Sequence, residues 1–159
     1  MDASELTRGK LISAACGLAL FVVMFFSWFD IGTSFRFAAE AAGVDTTYNA
    51  WQAFGFIDII LLVTVLAAVG AVVFSLLSRR PAPLAPEAVV FALGVLSSLL
   101  VLYRILDPVL DAGRKLGLFL GFLAAAGIAV GGWLAMQEAA AAASRTRRRR
   151  APPPPSSPI

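Results

Sequence analysis

Histidine is absent from this chain, and cysteine occurs once, at Cys16. Those two facts exclude a zinc site built from His and Cys, an internal disulfide, and Ser-His-Asp or Cys-His nucleophilic catalysis. Carboxylates and basic groups remain as chemistry-bearing residues, and one carboxylate stands apart. Asp58 lies inside a long apolar run that opens at Trp51. Arg104 lies near the end of the next apolar run, three residues before Asp107. A membrane core is hostile to an ionised side chain, and such residues normally face a partner or a cavity. Asp58 and Arg104 therefore form a candidate intramembrane polar pair. As a functional site, the pair opens outward and takes an ion, a proton or a small polar ligand. As a structural device, it is a buried ion pair that fixes the rotation of one helix against another. One acid and one base make a thin transport path, so the structural reading is preferred. No metal, cofactor or enzyme activity is expected.

Composition explains why a membrane is invoked. The 159 residues are 59% hydrophobic and only 14% charged, with a mean hydropathy of +0.83. A soluble domain is about a quarter charged. Apolar excess on this scale needs lipid as its solvent.

Four apolar segments follow in order. Arg8 and Lys10 precede an uncharged run over 11–29, long enough to span. Its bulky end at Phe25, Phe26, Trp28 and Phe29 argues against a cleaved signal peptide, and Cys16 reads as a small core residue. Residues 34–43 have the composition of a short interfacial helix stopped by Gly43, and a packed loop suits them equally well. Asn49 with Gln52 three residues on resembles a capping box, which predicts a helix over 50–77. Asp58 would then sit about 10 Å below Trp51. Pro81, Pro83 and Pro86 break that helix. Pro86 and Glu87 suit the start of a third helix over 87–106, ended by Asp107-Pro108. A fourth helix runs over 116–138 and is expected to continue into the alanine run, since alanine is the best helix former. Residues 1–10 form a polar N-terminus, and residues 139–159 form a basic, proline-rich tail.

The expected fold is thus all-α, a four-helix transmembrane bundle over 11–138. Arg8, Lys10, Arg79, Arg80, Arg145 and Arg147, Arg148, Arg149 and Arg150 share one side, against Arg36, Arg104, Arg114 and Lys115 on the other. The excess marks the cytoplasmic side, so the chain is expected in the plasma membrane with both termini in the cytoplasm. Trp28, Tyr48, Trp51 and Tyr103 fall near the outer boundary and Trp133 near the inner one. On the fourth helix Gly117, Gly121, Gly127 and Gly131 allow close helix packing, within the chain or between copies in a homo-oligomer. The arginines from Arg145 to Arg150 are expected to meet anionic lipid head groups. One short cluster held at a membrane is a poor nucleic-acid site, so none is expected.

Asn49-Ala50-Trp51-Gln52-Ala53-Phe54, then Asp58, then Tyr103-Arg104-Ile105-Leu106-Asp107-Pro108, and the glycine-rich stretch 117–136 together resemble uncharacterised small four-span integral membrane proteins of actinobacteria. The resemblance covers most of residues 11–138 and implies topology without chemistry. The expected function is a structural, accessory or scaffolding role through helix association or a membrane-protein partner. The alternative is a small transporter or ion-conducting protein built on Asp58 and Arg104.

Overall fold

The structure is a computed structural model that describes residues 7–30, 37–39, 41–43, 46–53, 55–77, 86–107 and 113–150. It is mostly helical. α1 is Arg8–Val23, α2 Ala50–Ala53, α3 Phe56–Leu77, α4 Pro86–Leu106 and α5 Leu116–Arg150. Three short strands, β1 Ser27–Asp30, β2 Thr47–Asn49 and β3 Gly113–Arg114, form an antiparallel sheet in the order β2-β1-β3. Ser27 pairs with Asn49, and Asp30 pairs with both Thr47 and Gly113.

α3, α4 and α5 are long and apolar enough to cross a membrane. α1 has 16 residues and is about 24 Å long. It packs on α3 and α5, while α4 packs on the same two helices, so α1 and α4 face each other across a shared core. Leu20, Leu61, Val101, Leu118 and Ile128 fill that core and are fully buried. Leu18, Val22, Leu66, Leu99 and Leu123 lie exposed on the outside. Large side chains of that kind, in this number, suit lipid rather than water.

Four sequence expectations change. The first helix starts at Arg8 and ends at Val23, because residues 27–30 leave it to become the central strand. The all-α expectation gives way to that extent. The second helix is two helices. The capping box forms as expected, with Gln52 N–H donating to Asn49 Oδ1 at 3.0 Å and Asn49 N–H to Gln52 Oε1 at 3.2 Å. Yet α2 lasts one turn, and a bend at Gly55 separates it from α3. Trp28 does not face outward as a belt aromatic would. It is fully buried, its indole N–H donating to Val23 O at 2.8 Å. Finally, α5 runs on past the alanine run, where helix was expected, and stays helical through Arg150, so the arginines belong to the helix rather than to the tail. The loop expectation over 34–43 is met where residues are described. Residues 37–39 and 41 are helical, and Gly43 follows at φ 70°, the left-handed geometry that ends a helix. Residues 1–6 and 151–159 lie outside the described residues.

Candidate functional site

Polar side chains inside the helices gather at three levels. The outermost is that of Asp58. The break at Gly55 places Asp58 in the first turn of α3 rather than in the third turn of a longer helix. Its residue is 4% exposed, and its Oδ1 is buried without a hydrogen-bond partner. The α3 N-terminus supplies a favourable dipole for that carboxylate. Arg104 lies half-buried in the last turn of α4, its guanidinium carbon 6.0 Å from the Tyr103 ring centre. The structure does not join the two: Asp58 forms no ion pair with Arg104. Tyr103 Oη instead donates to Asp107 Oδ2 at 2.8 Å.

The middle level was invisible in the sequence. Thr64 on α3 and Ser97 on α4 are fully buried, and their hydroxyls meet at 2.7 Å. Thr64 Oγ1 donates to Ile60 O at 2.8 Å. Either hydroxyl can donate to the other, since each carries one proton and accepts as well. A hydrogen bond of this kind holds two helices together where lipid offers no competing donor.

The inner level ties all four long helices. Lys10 of α1 reaches across the core to Glu87 of α4, with Nζ 3.2 Å from Oε1 and both side chains about one-eighth exposed. The same ammonium donates to Ser75 Oγ of α3 at 3.0 Å. Gly9 N–H donates to Glu138 Oε2 of α5 at 3.1 Å. The first amides of a helix have no partner within it, and Thr7 makes no side-chain cap here. Glu138 takes that role from another helix, an anion at a positive helix end. Nothing local in the sequence signals these contacts. Lys10 and Glu87 are 77 positions apart, and both read as ordinary helix-end charges.

The packing glycines sit where α5 meets the start of the chain. A methyl at Gly121 would stand 2.5 Å from the Trp28 ring, and one at Gly117 would stand 2.6 Å from Ser27 O. At Gly127 it would meet Cys16 Sγ at 2.5 Å, and at Gly131 it would meet Ser13 N at 2.5 Å. All four positions are therefore occupied by α1 and β1 of the same chain. A second close approach joins α5 to α4 at Gly94 against Ala129 and Gly132 against Phe91. The outer end carries one more link, Lys115 Nζ to Asp30 Oδ2 at 2.9 Å. Arg145 and Arg147 are exposed on the α5 extension, and the helix includes Arg148, Arg149 and Arg150.

These arrangements make helix-to-helix links. Among the described residues, no group of three or more His, Cys, Asp or Glu residues has the geometry to hold a metal ion. A shallow groove of about 270 Å³ between α3 and α4 is lined by apolar residues such as Ala67, Gly70, Phe74 and Val89. No family model, curated protein or solved structure matches this chain.

Proposed function

We propose that this chain is a four-span protein of the plasma membrane with both termini in the cytoplasm, serving a structural or accessory role. α1 is the fourth span. It carries exposed Leu11, Leu18, Phe21 and Val22 along one side while packing on α3 and α5 with the other. The turn after it adds exposed Phe25 and Phe26, which lengthen the apolar surface beyond the helix proper. The basic excess on the side of the termini supports the orientation. The resemblance to small four-span actinobacterial proteins agrees with it.

One observation carries the structural role over transport. The three polar levels are separated by apolar layers. On α3, buried Leu61 stands between Asp58 and Thr64, and buried Val65, Ala68 and Ala71 stand between Thr64 and Ser75. Along that helix the gaps are about 9 and 16 Å. A proton relay needs hydrogen-bond contact, or one bridging water, at every step. The polar groups at the middle and inner levels are instead engaged between helices.

Reconstitution tests this reading. Purified protein in liposomes should give no proton, sodium or potassium flux above protein-free vesicles under any imposed gradient. Flux that disappears in Asp58→Asn would replace the structural reading with the transport alternative. In native membranes, crosslinking should capture the chain with a recurring membrane-protein partner or a second copy.

A further inference from the structure

α1 begins at Arg8, α3 ends at Leu77 and α4 begins at Pro86, so the helices around the core reach a common level near Glu138. α5 alone goes on. From Ala139 to Arg147 every residue is exposed. The hydroxyls of Ser144 and Thr146 are turned back onto their own helix, donating to Ala141 O and Ala142 O. We infer that this extension is a docking strut for an acidic segment of a soluble protein partner, held clear of the lipid surface. The inference rests on α5 crossing the bilayer with its C-terminal end in the cytoplasm.

Geometry separates the strut from the leaflet. Trp133 is about half exposed, as a residue of the aromatic belt would be. Arg145 lies 12 residues beyond it, about 18 Å along the axis, and Arg150 about 26 Å. The head-group layer adds only about 5–8 Å to each side of the hydrocarbon. Arg145 thus starts about 10 Å outside it, beyond one Debye length of about 8 Å at physiological salt. A tilt near 20° hardly alters that. The extension also lacks what lays a helix flat on a membrane. Residues 139–150 contain only alanine, serine, threonine and arginine, with no bulky apolar face.

Charge and shape choose the partner. At 100° per residue, Arg145 and Arg147 lie on nearly opposite sides of the helix. A flat leaflet engages one side, whereas a peptide wraps several. Five arginines fall short of the six to ten phosphate contacts typical of strong nucleic-acid binding. Carboxylates pair bidentately with arginine. The five alanines below the cluster leave a slim cylinder on which a second helix approaches closely.

The test uses the full chain in nanodiscs. An oligoglutamate peptide should bind discs of neutral and of anionic lipid alike. It should bind about tenfold more weakly after Arg145, Arg147, Arg148, Arg149 and Arg150 are all changed to Gln. A fluorophore at Ser144→Cys, in a Cys16→Ser background, should escape quenching by head-group nitroxides. One at Leu123→Cys should be quenched by acyl-chain nitroxides. Head-group quenching at position 144, or peptide binding abolished by anionic lipid, would place the arginines on the leaflet and overturn the proposal. So would equal binding by the glutamine variant, or stronger binding by an RNA oligomer of the same charge. Absence of acyl-chain quenching at position 123 would overturn the membrane reading of α5, and the strut with it.

Discussion

Gly131→Ala should loosen the fold although alanine is the better helix former. The added methyl would stand 2.5 Å from Ser13 N, and 2.9 Å from Ser13 Cα and Gly9 O. Carbon contacts settle at about 3.5–4.0 Å, so α1 must retreat by about 1 Å. The opposing atoms are backbone, and no rotamer change relieves them. The retreat also stretches the 3.1 Å bond from Gly9 N–H to Glu138 and the contact of Lys10 with Glu87. Overpacking of this kind costs about 1–3 kcal/mol. The propensity gain from glycine to alanine is at most about 1 kcal/mol. It shrinks further in lipid, where helices form before they associate. Gly70 is the matched control, because a methyl there meets nothing within 4 Å. Gly70→Ala should be neutral or stabilising by up to about 1 kcal/mol. The two variants should differ by about 2 kcal/mol, near thirtyfold in the folding equilibrium. Reversible unfolding by SDS in mixed micelles, followed by tryptophan fluorescence, measures the difference. Gly131→Ala as stable as Gly70→Ala would refute the close approach of α1 and α5.

Lys10→Gln and Glu87→Gln should each destabilise more than an exposed pair would, by about 1–3 kcal/mol. A double-mutant cycle in the same assay should return coupling of at least about 0.5 kcal/mol, and additive losses would show that the charges do not meet. Thr64→Val with Ser97→Ala should couple by about 0.6 kcal/mol, the average for hydrogen bonds between helices in membranes. Asp58→Asn should leave the fold intact or firmer, since it removes a buried charge that makes no ion pair with Arg104. A marked loss in this variant, rescued by restoring the acid as Glu, would mean that Asp58 carries a role beyond packing.

Local signals in the sequence were read well, and long-range ones were not. Pro86 with Glu87 marked the start of α4, and Asn49 with Gln52 marked a real helix start. The break two residues after α2 was missed because an apolar run hides a bend. Gly55 alone is a weak signal inside hydrophobic sequence. That one break moved Asp58 from the third turn of a long helix to the first turn of α3. The strand at residues 27–30 was missed for a similar reason. Trp28 and Phe29 continue the apolar composition of α1, and only pairing with residues 47–49 and 113–114 makes them extended. Lys10, Glu87, Ser75 and Glu138 gave no sign of converging, since polar helix ends look alike whether they face water or one another. The glycines of α5 were legible as a packing face, but their partner was not. Small residues announce close approach without naming what approaches.

Topology is the most direct test, because α1 is the shortest of the proposed spans. Single thiols at Ser4, Ser34, Ala112 and Ser156, each in a Cys16→Ser background, should be treated in intact cells with a reagent that cannot cross the membrane. Four spans predict labelling at positions 34 and 112 and protection at 4 and 156 until the membrane is opened. Labelling at position 4 with protection at 156 would mean three spans with α1 outside the bilayer, and would contradict the account.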